Sequence, residues 1–151
     1  MLVARARPWH FEHFQIFSGK MIVGEVKQDW RGNGHVLVGD KVYFIHRDRI
    51  SHQLLLTERG RQIACSSMCA DTRGFDVRIP GADMRILSVG FWRRRYRVIE
   101  QHGEVGKIRL TGMRGRIAMI DLPEQIELQY ILFMAALCLG VAGIDDWGSA
   151  G

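Results

Sequence analysis

The chain has 151 residues, with 21 Lys and Arg against 16 Asp and Glu, 47% hydrophobic residues, 17 Gly and 3 Pro. That length suits one domain with a single core, and the apolar and charged fractions exclude wholesale disorder. Three cysteines (Cys65, Cys69, Cys138) are too few for a disulfide framework and match no zinc spacing, so free thiols in a reducing, cytoplasmic setting are expected.

The opening MLVARARPWHFEHF has no apolar run of signal-peptide length, so no secretion signal is expected. From Phe11 onward the chain reads as short strands punctuated by glycine. Phe11–Phe17 alternates, Met21–Gln28 follows the Ser18-Gly19 turn, and His35–Val38 follows Gly32-Asn33-Gly34. Lys41–His46 carries Val42, Phe44 and Ile45, residue types that suit a pleated, half-buried surface. Further strands are expected at 53–57, 62–66, 75–79, 84–89, 96–100, 106–110 and 116–120. The total is about eleven, at the spacing of a barrel or sandwich. Two stretches, Leu54–Ile63 and Tyr96–Ile108, share a strand–turn–strand plan with glycine at the tip, which predicts antiparallel hairpins.

The end of the chain is different. Asp121-Leu122-Pro123-Glu124 predicts a helix start, and Tyr130 to Ile144 carries no charged side chain. The expected central helix covers about 122–143, with a C-cap at Gly143 and a frayed tail over 145–151. A helix apolar on every side must be buried all round or lie in lipid. Fifteen residues rise about 22 Å, short of the roughly 30 Å hydrocarbon layer, and extension to Ile126 brings Glu127 and Gln129 along. A closed sheet of about eleven strands has an interior too wide for its own side chains. One object satisfies both demands. The expected fold is all-β with one helix: a closed antiparallel β-barrel of about 11–12 strands (residues 11–120) around a central hydrophobic C-terminal α-helix, as a single domain over 1–151.

Glycine-punctuated strands followed by a hydrophobic C-terminal helix resemble the tubby C-terminal superfamily, which includes LURP-one-related proteins and phospholipid scramblases. The resemblance rests on the turn at Glu58-Arg59-Gly60, the Arg95–Leu110 hairpin with Glu104-Val105-Gly106-Lys107-Ile108, and the run from Asp121 to Gly143. It implies a twelve-stranded barrel around a helix and a non-enzymatic role at membranes, through phosphoinositide binding or, in a scramblase-like or anchored protein, a span made by 126–144.

Charge marks the candidate surface. Between Arg85 and Arg116 there are nine basic residues and two acids, Glu100 and Glu104. Strand alternation puts Arg93, Arg95 and Arg97 on one face, and Lys107 and Arg109 join them if they lie on the paired strand. Forked guanidinium contacts suit phosphate groups, and Phe91 and Trp92 just before the cluster suit a membrane interface. Anionic phospholipid or a protein partner is therefore expected at Arg93, Arg95, Arg97, Lys107 and Arg109. Nucleic acid is less favoured, because the segment has no RNA-binding motif.

Catalytic signals are weak. There is no Gly-x-Ser-x-Gly elbow, and Gly32-Asn33-Gly34 is a turn with no phosphate-loop helix after it. His10 and His13 would face opposite sides of a strand, and His35, His46, His52 and His102 are scattered. The expectation is a protein that is not an enzyme, with no cofactor and no metal, peripheral to a membrane. A β-barrel enzyme of an unrecognised type is the remaining alternative.

Overall fold

A computed structural model describes residues 1–7, 10–29, 31–68, 74–89, 94–112 and 116–148, with the side chains of 7, 10–12 and 140–148 excepted. Twelve strands follow one another: β1 (Leu2–Arg7), β2 (His10–Ser18), β3 (Met21–Gln28), β4 (Gly34–Val38), β5 (Lys41–Arg47) and β6 (Leu54–Glu58), then β7 (Arg61–Met68), β8 (Gly74–Ile79), β9 (Ala82–Val89), β10 (Arg95–Glu100), β11 (Gly103–Thr111) and β12 (Ile117–Asp121). Helix α1 (Leu128–Gly148) ends the chain. Every strand pairs antiparallel with its sequence neighbour, and β1 pairs with β12, which closes the barrel and leaves no free strand edge.

Alternation does what the pleat requires. In β5, Tyr43 and Ile45 point inward while Val42, Phe44 and His46 face out; in β10, Tyr96 and Val98 are inside while Arg95 and Arg97 are exposed. The Arg59-Gly60 tip of the β6–β7 hairpin has φ of 52° and 79°, positive at both central residues as a tight hairpin of this twist demands.

The helix fills the barrel. From Tyr130 to Cys138 every side chain is at most 8% exposed, and nine consecutive buried positions cover all faces of a helix. It packs most extensively on β3 and β4. Gly24 explains how it comes so close, because a Cβ there would lie 2.6 Å from Leu132 Cδ2. Away from that side the lining includes larger groups, among them Phe75, Met84, Ile86 and Tyr96. Wall and helix share one core.

Three elements differ from the sequence expectation. Strand β1 is additional; Leu2-Val-Ala-Arg-Ala-Arg has two alanines and two arginines, a poor strand signal in isolation, yet Ala4 is fully buried between β2 and β12. Asp121 does not cap a helix. It is the last residue of β12, in register with Lys107, and a turn with the Ile126 N–H donating to the Pro123 carbonyl (3.1 Å) delays α1 until Leu128. The helix then runs through Gly140 and Gly143 to Gly148, each interior glycine costing about 1 kcal/mol relative to alanine.

Enclosure has a chemical consequence. Cys138 is fully buried, and desolvation of the thiolate pushes its pKa far above the ordinary thiol range. Cys138 is therefore expected to resist maleimide labelling in the native protein and to react on denaturation, read by intact and peptide mass. Rapid native labelling at Cys138 would contradict the enclosed helix.

Candidate functional site

The β10–β11 hairpin brings the basic residues together by register. Arg95 stands opposite Arg109 and Arg97 opposite Lys107, so two like-charged cross-strand pairs lie side by side on the outer face. Adjacent strands are about 5 Å apart and alternate residues about 7 Å apart, which sets the footprint of the four Cα positions. Arg95, Arg97, Lys107 and Arg109 are all exposed. They line a surface groove of about 400 Å³ whose floor is the inward-facing Tyr96 and Ile108, with Val89 and Glu104 at its borders. The size lies within the range of small-ligand sites.

Counter-charge is scarce there. Glu104 Oε1 accepts from Arg97 Nε at 3.3 Å. Among the described residues Arg109 reaches the Met119 thioether, 3.4 Å from Nη2. Among the described residues no carboxylate forms an ion pair with Arg95 or Lys107, although Asp121 is the register neighbour of Lys107. Like charges directly opposite each other destabilise an antiparallel pair. An anion seated between them reverses that sign.

Two local features shape the groove. The pairing register shifts between Val98 and Ile99, so that Gly106 faces Val98 and Glu104 faces Ile99, with Val105 as the extra residue. This bulge keeps Glu104 on the outer face, where it reaches Arg97, instead of turning it toward the core. Gly106 is required beside it, since a Cβ there would overlap the Asp121 carbonyl oxygen of β12. The neighbouring cation Arg85 is engaged elsewhere, with its Nε 2.8 Å from Asp76 Oδ1.

Of the residues expected from sequence, the structure brings Arg95, Arg97, Lys107 and Arg109 into one groove. Arg93, Phe91 and Trp92 fall in the β9–β10 connection, outside the described residues. Sequence reasoning missed Glu104 as a member of the site, because strict alternation from Lys107 turns it inward. No local pattern marks the extra residue before Gly106, which the pairing register alone reveals.

A second polar cluster lies on β2 and β3. Glu25 accepts from Gln15 Nε2 at 3.0 Å, and its Oε1 lies 3.2 Å from His13 Nε2. The Gln15 hydrogen bond, opposed by partial burial and aided by His13, holds the Glu25 carboxyl below its usual range. A carboxyl depressed in the folded state contributes stability above its unfolded pKa and loses it as pH falls through the folded value. Glu25→Gln is thus expected to lower the urea midpoint at neutral pH, with the deficit shrinking below about pH 4. A deficit independent of pH would contradict this. Among the described residues no three of His, Cys, Asp or Glu gather as a metal-ligand set. A scan against family models gives no match to this chain, and searches of curated proteins and of solved structures find none similar to it.

Proposed function

We propose that this chain is a non-catalytic, tubby-like module that binds anionic phospholipid headgroups through the β10–β11 face. One observation carries the reading: two like-charged pairs, Arg95–Arg109 and Arg97–Lys107, share a groove in whose lining, among the described residues, Glu104 is the single carboxylate. Each arginine presents a fork of donors suited to a phosphate, and Lys107 adds a mobile point charge. Closure of twelve strands around one helix is the arrangement the tubby-like resemblance implies, and it supports placing the activity on the outer surface. The interior is occupied by Tyr130–Cys138.

Residues 130–138 meet strands on all sides, and among the described residues no helix is long and apolar enough to cross a membrane. The reading therefore has the protein resting on a bilayer through its cations. Phe91 and Trp92 are the sequence-adjacent candidates for an interfacial anchor.

Vesicle co-sedimentation tests this. The protein is expected to pellet with phosphatidylcholine vesicles containing phosphatidylserine or a phosphoinositide and to stay in the supernatant with phosphatidylcholine alone. Binding is expected to weaken as salt rises from about 0.1 M toward 1 M, where the screening length falls from about 10 Å to 3 Å. Equal recovery on neutral and anionic vesicles would overturn the proposal. Retention by an acidic polypeptide without vesicle binding would reassign the face to a protein partner.

A further inference from the structure

Antiparallel closure gives the barrel two rims of different character. One rim is made of tight hairpins at 19–20, 39–40, 59–60, 80–81 and 101–102, and the chain enters α1 from that side after Asp121. The opposite rim, toward which α1 runs, carries the β3–β4 and β5–β6 connections and the ends of β7 and β9.

Charge separates the two. Among the described residues the hairpin rim gathers Asp40, Glu58, Glu100, Asp121, Glu124 and Glu127 alongside Lys20, Lys41, Arg59 and Arg61. The helix-exit rim exposes Arg31, Arg49 and Arg94. Its two described loop acids are turned back into their own connections. Asp29 Oδ1 accepts from the backbone N–H of Arg31 (2.8 Å) and Asn33 (3.0 Å). Asp48 accepts from the Ile50 N–H (3.2 Å) and the Ser51 hydroxyl (2.6 Å). The carboxylates brace the loops, and Arg31, Arg49 and Arg94 are exposed. Arg47 and Arg116, half-buried, also lie at this rim, so Asp145 and Asp146, which the helix end adds by sequence, lower its net charge (five bases against four acids) without cancelling it.

Large apolar side chains stand among those arginines. Ile50 is 91% exposed at the tip of the loop that Asp48 fastens, and Met68, closing β7, is 66% exposed. Val89, closing β9 beside the Arg95–Arg109 pair, is 43% exposed. The cationic groove is itself polarised along the same axis. Its Arg95 end borders Val89 and the helix-exit rim, and its other end borders Glu104 and the acidic hairpin rim. Basic groups with protruding apolar side chains match the surface of an anionic bilayer, whose headgroups attract the cations while its acyl boundary takes the apolar groups.

We infer that the barrel docks on an anionic membrane with its helix-exit rim toward the lipid, Ile50 and Met68 entering the interfacial layer and Arg31, Arg49 and Arg94 lying against headgroup phosphates. The inference rests on the anion-binding reading of the β10–β11 groove and adds the orientation. The hairpin rim also exposes large apolar residues, Met1 at 74%, Met21 at 71%, Ile22 at 52% and Val42 at 44%, and its Met21–Ile22 pair supplies a matched control.

The experiment compares native protein, Ile50→Glu/Met68→Glu and Met21→Glu/Ile22→Glu. Two readouts are taken on each: partition onto phosphatidylcholine–phosphatidylserine vesicles, and calorimetric binding of inorganic pyrophosphate to the groove. The Ile50→Glu/Met68→Glu variant is expected to lose about tenfold or more in vesicle partition and to keep its pyrophosphate affinity. The hairpin-rim variant is expected to stay within about twofold of native in both. Native-like vesicle binding by the Ile50→Glu/Met68→Glu variant, with pyrophosphate still bound, would overturn the orientation and leave the groove reading intact. Absence of pyrophosphate binding in the native protein would overturn the groove reading on which the inference stands. Tighter binding of native protein to single-stranded RNA than to vesicles, at equal phosphate concentration, would overturn both.

Discussion

Arg95→Glu is expected to weaken binding to anionic vesicles by about 30-fold and, at the same time, to make the protein slightly more stable. The two effects have opposite signs because one residue takes part in two different balances. Near an anionic bilayer each cation contributes about 1 kcal/mol, so replacing a positive by a negative charge removes about 2 kcal/mol of attraction. Within the fold, Arg95 faces Arg109 directly across the β10–β11 ladder. A glutamate there turns a repulsive pair into an attractive one, worth about 0.2–1 kcal/mol for an exposed pair. Vesicle partition and urea denaturation on the same sample read both numbers. Loss of binding accompanied by loss of stability would mean that Arg95 serves the fold and not a ligand. Unchanged binding would remove the groove as the lipid site.

Phe133→Ala is expected to cost about 3–5 kcal/mol of unfolding free energy, a large part of the roughly 5–15 kcal/mol that holds a domain of this kind together. Phe133 is fully buried, as are Leu132 before it and Met134 and Ala135 after it, so the truncated side chain leaves a void with no water to fill it. The loss should appear in aqueous buffer as a lower denaturation midpoint with an unchanged slope. A helix that stood outside the barrel in detergent or lipid would make the same change nearly silent in the unfolding of the strands. A shift below about 1 kcal/mol would therefore contradict the shared core.

The sequence carried the architecture through two independent signals that had to agree. Tyr130–Ile144 lacks any polar stripe, which demands a surrounding wall, and the glycine-tipped hairpins supply enough strands to make one. Strand β1 was not legible because Leu2–Arg7 owes its place to the gap between β12 and β2, a partner choice that no local pattern encodes. The start of α1 was misplaced for a related reason: the Asp-Leu-Pro-Glu cap signal at Asp121 competes with a ladder position beside Lys107, and the ladder prevails. Alternation alone puts Arg95 and Arg97 on one face, and the pairing of β10 with β11 sets Lys107 and Arg109 beside them. Which of them have counter-ions was not readable. That depends on the bulge at Val105, which rotates Glu104 outward, and on the strand pairing that gives Arg85 to Asp76.

The position of α1 governs everything else, because the proposal of a binding surface outside the barrel presupposes an interior filled by Tyr130–Cys138. Gly24 and Leu132 report it most directly, one on the wall and the other on the helix, 108 residues apart in sequence. Methyl-labelled protein in plain buffer is expected to show strong nuclear Overhauser contacts from a Leu132 δ-methyl to the Gly24 α-protons. Leu132 methyl contacts confined to its own helix, to solvent or to added detergent, with none to β3 or β4, would contradict a helix enclosed by the barrel.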